Sequence, residues 1–215
     1  MAASLSRWAG RGEAHSIAPM YVPDHFREDR PEVLAGAVRR IGFATLITTG
    51  LEANHLPMLL EGNVLRGHVA RANPVWKSGD GAALAIFLGP HAYVSPSWYP
   101  SKAEAGKAVP TWNYITVHAR GAIKWVQDAD WLHAHVAALS DAHEAGRPAP
   151  WTIGEAPETY IATMLRGIVG FELTIETLEG KYKLSQNRDE ADREGVRQAF
   201  AREGRTDLSG LMDKP

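Results

Sequence analysis

The segment HVARANPVWK, residues 68–77, places an arginine, an asparagine and a proline at the end of an apolar run that is typical of a strand. The guanidinium of Arg71 could pair with two phosphate oxygens, while the Asn73 amide and loop N–H groups supply further donors. These residues are therefore candidates for an anion site, although a surface turn explains the same spacing. Neither a GxGxxG motif after a strand nor a P-loop lysine, the usual phosphate cradles, is found in the sequence.

Aromatic side chains are concentrated among prolines and hydroxyl residues in GPHAYVSPSWYP and VPTWNY. Aromatic faces with polar edges suit a planar ring, because the same side chains supply stacking and hydrogen bonds. The core and rim of a barrel would show the same composition. Ser95 and Ser97 are not part of a GxSxG motif, which argues against a serine hydrolase.

The nine histidines and the absence of cysteine limit the metal chemistry open to the chain. His133 and His135 are two positions apart on a predicted helix, so they point about 200° apart and cannot chelate one ion together. Pairing between histidines of different elements, such as His55, His68, His91 and His118, stays open beside core or turn roles. We assign no metal site from the sequence.

Charge and hydropathy limit the partners of the protein. Lys and Arg number 23 against 25 Asp and Glu, a formal charge of −2, so binding to DNA would need a local basic patch. No apolar run approaches the roughly 20 residues that cross a bilayer, so we expect no membrane association. The lack of cysteine fits a reducing compartment, and we expect a cytoplasmic protein.

Residues 1–19 lack the apolar middle and the cleavage site of a secretory signal, and we expect them to form a flexible extension. Residues 20–215 are long enough for one domain with a sizeable core. The domain organisation predicted from the sequence is therefore one domain behind an N-terminal extension.

Short runs rich in Ile, Val, Leu, Thr and Phe, separated by Gly, Asn and Pro, predict about six strands in succession. Helical spacing of apolar residues predicts helices over residues 29–43, 128–146, 156–167 and 189–204. Gly167 is expected to cap the third helix, with Tyr160 and Ile161 on its apolar face. The fourth helix has only Val196 and Phe200 as strong apolar contacts, so we expect it to dock lightly. The pattern predicts a mainly β fold with flanking helices, an antiparallel barrel.

Six segments of the chain, in order, resemble the FMN-binding negative transcriptional regulators of the PaiB type, which belong to the split-barrel flavoproteins. They are MYVPDHF, HLPMLL, GHVARANPVWK, AIFLGPHAYVSPSWY, VPTWNYITVHARG and KLSQNR, within about residues 20–200. The N-terminal extension and the acidic tail depart from the family pattern. The resemblance implies an antiparallel, Greek-key-like FMN-binding split barrel and a homodimer with FMN in clefts at the subunit interface.

The resemblance also implies roles for particular residues. Arg71 becomes the leading ligand of the FMN phosphate, supported by His68 and Asn73. Residues that it places near the isoalloxazine ring are Trp98, Trp112, Asn113 and Tyr114.

Two functions follow from the resemblance. The first is a transcriptional regulator whose dimer responds to bound flavin, although the sequence shows no recognisable helix-turn-helix. The candidate region for DNA contact is formed by Lys181, Lys183, Arg188, Arg193 and Arg197, although the acidic residues between them fit a solvated helix of mixed charge equally. The alternative is a flavin-dependent oxidoreductase related to pyridoxamine 5'-phosphate oxidases.

Overall fold

Eight antiparallel strands form one sheet in the computed structural model, which describes residues 18–213 apart from the side chains of residues 104 and 105. The strands are β1 (Arg27–Glu28), β2 (Phe43–Thr48), β3 (Ala53–Pro57), β4 (Leu59–Glu61), β5 (Val64–Ala70), β6 (Gly81–Val94), β7 (Thr111–Val126) and β8 (Ile168–Lys183). Their order is β3-β2-β6-β7-β8-β5-β4, and β1 pairs with β8. The sheet curls into a half-barrel, so the predicted fold class is confirmed.

Six α-helices join or follow the strands within residues 18–213. They are α1 (Pro31–Ile41), α2 (Ser101–Ala105), α3 (Ala129–Glu144), α4 (Glu158–Leu165), α5 (Glu190–Arg202) and α6 (Thr206–Met212). α1 begins with a proline and ends at Gly42, whose φ of 63° is left-handed, as its sequence suggests. α3 begins at its predicted cap, because the Asp128 side chain accepts a hydrogen bond from the Trp131 amide.

The core lies inside the curl of the sheet. On β7, Ile115, Val117 and Ala119 are buried, and the residues between them face outward, as the alternation in the sequence predicts. α1 packs on this inner side, where a side chain at Gly180 would collide with Leu34. The two longest strands thus have one side in the core and one side available to a second layer.

The expectation that the helix after residue 189 docks lightly was wrong. Val196 and Phe200 are fully buried, and the α5 carboxylate of Asp192 accepts hydrogen bonds from Ser101 N at 3.0 Å and Ser101 Oγ at 2.7 Å. α6 adds Leu208, which is also fully buried. The polar composition of α5 does not reveal this packing in the sequence. The residues that it packs against are also distant in sequence.

Three other details differ from the sequence analysis. β1 and β4, of two and three residues, are too short to show alternation, so the sequence predicted six strands instead of eight. α4 ends with Arg166 in a right-handed conformation, and Gly167 is not among the glycines with positive φ. On α4, Tyr160 and Met164 are 56% and 48% exposed, so only part of the predicted apolar face is buried.

Within residues 18–213, no helix is long and apolar enough to cross a membrane. The predicted N-terminal extension falls almost entirely outside the described residues.

Candidate functional site

The guanidinium of Arg71 is bound to three acceptors of the protein itself. Its Nε donates to the Arg166 carbonyl at 2.7 Å and its Nη2 to the Ile168 carbonyl at 2.9 Å. Its Nη1 donates to Gln127 Oε1 at 2.7 Å. Arg71 therefore ties the loop after β5 to the turn between α4 and β8, a structural role that the sequence did not reveal.

The other two residues of this motif also point at neighbouring elements. The Asn73 side chain accepts from Val75 N at 3.0 Å and donates to Asn54 Oδ1 at 2.6 Å, which links β3 to the loop after β5. His68 Nδ1 lies 3.1 Å from His135 Nε2 of α3. The structure thus places the three predicted phosphate ligands in three different contact networks.

The residues predicted near the isoalloxazine ring separate into two groups. Asn113 is fully buried and donates to Ser185 Oγ at 3.0 Å, and Trp98 packs edge-on against Phe200 at 5.4 Å. Trp112 and Tyr114 alternate with Asn113 on β7 and lie on the opposite, outward side. Only these last two can meet a ligand on the outer side of the sheet.

The outward sides of β2, β3, β6 and β7 form a continuous surface, which we call the open face. Strand pairing places Thr45 opposite both His55 and Ile86, and Ile86 opposite His118. Thr45 Oγ1 and His55 Nδ1 are 3.0 Å apart, which confirms that they share this face. The face is defined by Phe43, Thr45, His55, Ile86, Leu88, Tyr93, Trp112, Tyr114, His118 and Arg120.

Large apolar side chains are exposed on the open face. Phe43 is 56% exposed, Leu88 54%, Trp112 52% and Tyr93 47%. Trp112 and Tyr93 pair across β6 and β7, with their ring centroids 6.3 Å apart. Clustered apolar exposure of this kind marks a binding surface more often than a solvated one.

A buried polar group lies beside these apolar side chains. Arg120 forms an ion pair with Glu179, and both are largely shielded from solvent. Burial, with a smaller effect of the Arg120 charge, lowers the pKa of His118 to about 4, so its ring is neutral at pH 7. His118 Nδ1 and Arg120 Nε are buried, and within the described residues neither has a hydrogen-bond partner. Buried polar atoms of this kind usually have a partner, so these two side chains are candidates to turn toward a ligand or a second chain.

Two lysines stand at the β8 border of the open face. Lys181 Nζ donates to the Tyr21 carbonyl at 3.1 Å and lies 5.7 Å from the centre of the Tyr114 ring. Lys183 Nζ donates to Thr111 Oγ1 at 2.7 Å and to the Trp112 carbonyl at 2.6 Å. Their charges lie close to aromatic rings and to acceptors of the protein, which is unlike a row of solvated phosphate contacts.

The remaining basic side chains of the predicted DNA region also contact the protein. The Arg188 guanidinium lies 4.5 Å from the centre of the Tyr99 ring, and Arg193 Nη2 donates to the Met212 carbonyl at 2.6 Å. Arg197 forms an ion pair with Glu194. Metal ligands are likewise not gathered, since residues 18–213 contain no cluster of three or more His, Asp or Glu that could hold an ion.

Sequence reasoning missed the ion pair of Arg120 with Glu179 and the apolar patch formed by Phe43, Ile86 and Leu88. The available signal was the strand alternation, which gives both sides of β6 large apolar residues. The pairing of β6 with both β2 and β7 brings these outward residues together, and that register could not be read from the sequence.

The antiparallel sheet, curled into a half-barrel with one apolar outer face left open, defines a split-barrel protein. A family model described as "Putative FMN-binding domain" matches residues 20–177. The chain belongs to this FMN-binding family, of the PaiB type that its sequence motifs indicate, and its cofactor is FMN. The open face fits that cofactor, because it offers apolar area for a ring and unpartnered polar atoms for its edge.

One curated relative supports this family, and two solved structures share the fold. The chain is 34% identical to the protease synthase and sporulation protein PAI 2 of Bacillus subtilis over 182 residues, 80% of this chain and 85% of that one. Its fold is similar to the FAD and heme binding protein of Mycobacterium smegmatis, with a TM-score of 0.57, 17% identity and 80% of each chain covered. The flavocytochrome Anf3 of Azotobacter vinelandii gives a TM-score of 0.52 at 15% identity, covering 78% of this chain and 74% of that one. At these identities, the two solved structures show a shared fold.

Proposed function

We propose that the protein is a transcriptional regulator that acts as a homodimer, with FMN held between the open faces of two copies. The observation that carries the dimer and the flavin site is the apolar patch around Phe43 and Leu88 beside the unpartnered atoms of His118 and Arg120. A stable interface commonly buries about 1,600 Å² in total, and the open face could contribute one continuous surface to it.

FMN would contact the outward residues of β7. Trp112 and Tyr114 offer aromatic area to the isoalloxazine ring, and His118 and Arg120 offer hydrogen bonds to its polar edge. Lys181, at the border of the face, offers positive charge to the phosphate. When bound, FMN would supply one-electron or hydride chemistry, and this chain would orient it and exclude water.

Arg71 has a different place in this proposal from the one that its motif implies. Arg71 is not among the residues of the open face, and its guanidinium bonds to three acceptors of neighbouring elements, so we propose that it supports the flavin site indirectly by fixing the loop after β5. Its predicted contact with the FMN phosphate stays a prediction, and a titration with riboflavin tests it.

The regulatory role is supported by the relative in Bacillus subtilis. Its name connects that protein with protease synthesis and sporulation, and the two chains align over most of their lengths. A dimer that changes its packing when its interfacial flavin is bound or reduced would couple the flavin state to DNA affinity.

A flavin-dependent oxidoreductase is the second candidate, and the neutral His118 favours it. A shielded imidazole with an unpartnered nitrogen, next to the proposed ring site, can hold or pass a proton during hydride chemistry. The engagement of Lys181, Lys183 and Arg188 with groups of the protein also weakens the case for a wide DNA surface.

One preparation of FMN-loaded protein distinguishes the two functions. We expect a mobility shift with the DNA upstream of the protein's own gene, and oxidation of NADH or NADPH no faster than with free FMN. Steady turnover above the free-FMN rate, together with no shift, would replace the regulator with the oxidoreductase. A colourless protein that takes up no added FMN would contradict both.

A further inference from the structure

A cavity of about 590 Å³ opens between α3, α4 and the helical turn Ile153–Glu155. Its size falls within the range of about 300 to 1,000 Å³ that is usual for small-molecule sites. The buried side chains of Leu132 and Leu165 form its floor, and Ile153 and Ile161 line its walls. Among the described residues that line it, none belongs to the open face. The cavity is therefore a separate candidate site.

Arg71 gives this cavity a fixed positive group. A guanidinium has five N–H groups, and Arg71 uses one on each of its three nitrogens for the bonds to Arg166, Ile168 and Gln127. One N–H on each Nη therefore has no acceptor among the described residues. The centre of the Trp76 ring lies 5.9 Å from the guanidinium carbon, and this contact helps to hold the group in place. Two donors are thus held in position before any ligand arrives, which lowers the entropic cost of binding.

Other charged residues around the cavity offset each other. Arg166 lines it beside Arg71, while Asp130 and Glu158 contribute two negative charges, so the four charges sum to zero. Arg166 donates to Thr163 Oγ1 at 2.9 Å and is exposed, as are both acidic residues. The net charge therefore selects no ligand. The ligand is selected instead by the two remaining N–H groups of Arg71 and the apolar side chains beside them.

We propose that this cavity binds a small organic carboxylate with an apolar aromatic or aliphatic body, as a ligand separate from FMN. The body packs on Leu132 and Leu165, and the carboxylate accepts the two N–H groups of Arg71. A planar carboxylate matches the planar guanidinium, and a charge-assisted pair of bonds in a partly desolvated site is stronger than its neutral counterpart. The ligand would join α3 to α4, the helical layer that covers β5 and β8.

The test is calorimetric titration of the FMN-loaded protein with 1-naphthaleneacetate, and with 1-naphthaleneacetamide as the neutral probe of the same shape. We expect the acid to bind at least about tenfold more tightly than the amide, which is the difference typical of a charge-assisted hydrogen bond. Ala162 lines the cavity from an exposed position on α4, so the indole of Ala162→Trp should obstruct the cavity and abolish binding of the acid. Ala142→Trp, at an exposed position of α3 that does not line the cavity, should leave it unchanged.

The remaining outcomes each overturn the proposal. No binding of the acid at millimolar concentration, or equal binding of the acid and the amide, would remove the role of Arg71. Binding that survives Ala162→Trp would place the probe elsewhere. Release of FMN by the probe, seen as a rise in free-flavin fluorescence, or weaker FMN binding by Ala162→Trp, would show that the cavity belongs to the flavin site.

Discussion

His68 Nδ1 lies 3.1 Å from His135 Nε2, so a hydrogen bond between two imidazole rings joins β5 to α3. Trp131 stacks on His135 at 5.1 Å between ring centroids. Burial, aided by the charges of His68 and Arg66, lowers the pKa of His135 to about 4. Burial also lowers the pKa of His68. The pair is therefore neutral at pH 7, and acid should weaken the attachment of α3.

We expect the free energy of unfolding to fall as the pH drops from about 7 toward 4. The unfolded chain protonates His135 near pH 6.5, whereas the folded protein resists protonation until about pH 4. His135 alone would account for a loss of up to about 3 kcal/mol. Urea unfolding at several pH values, followed by tryptophan fluorescence, measures this loss.

His135→Phe should flatten that dependence, because the ring still stacks on Trp131 but no longer titrates. His133→Phe, at an exposed position of the same helix, is the matched control and should keep the parent slope. An unchanged slope in His135→Phe would mean that other groups cause the acid sensitivity.

Arg71→Ala should lower stability and should weaken FMN and riboflavin binding by the same factor. The substitution leaves the Arg166 and Ile168 carbonyls without their donor, at a cost of about 1 to 3 kcal/mol. Chemical denaturation and flavin fluorescence titrations measure the two effects. A loss confined to FMN would instead establish the guanidinium as the phosphate ligand that the sequence motif implies.

Leu88→Glu should convert the proposed dimer to a monomer and reduce FMN affinity by at least about tenfold, because a charge would be buried at the proposed interface. Leu88 is 54% exposed on the open face, so the isolated chain should still fold. Tyr160→Glu, at a residue of α4 that is 56% exposed and lies outside that face, is the control. Light scattering that shows dimers for both variants would place the interface elsewhere.

Random duplex DNA should bind weakly at about 150 mM salt, since non-specific affinity depends on phosphate contacts and falls steeply with ionic strength. A dimer of this chain carries a formal charge of about −4, twice the −2 of one chain. At saturating FMN, any specific mobility shift should disappear when Lys181 and Lys183 are both changed to Glu, provided that circular dichroism shows a folded protein and that its absorbance shows bound flavin. A shift that persists in this double variant would show that DNA meets another surface.

Local patterns in the sequence determined much of this protein. The alternation along β7 and β8, and the proline and glycine at the ends of α1, fix those elements because they depend on neighbouring residues alone. The six motifs in order were enough to indicate the FMN-binding family. The types of residue in the Arg71 motif identified a group rich in donors, but not the acceptors that it serves.

Only the tertiary structure decided which side of each strand became a site. Trp112 and Asn113 are adjacent in sequence, yet one lies on the open face and the other is buried against Ser185, because the curl of the sheet assigns one side to the core. His68 and His135 are 67 positions apart, and their contact depends on α3 folding back over β5. Contacts between residues so far apart in sequence arise from strand register and helix packing. These depend on the whole core and cannot be predicted from any one segment.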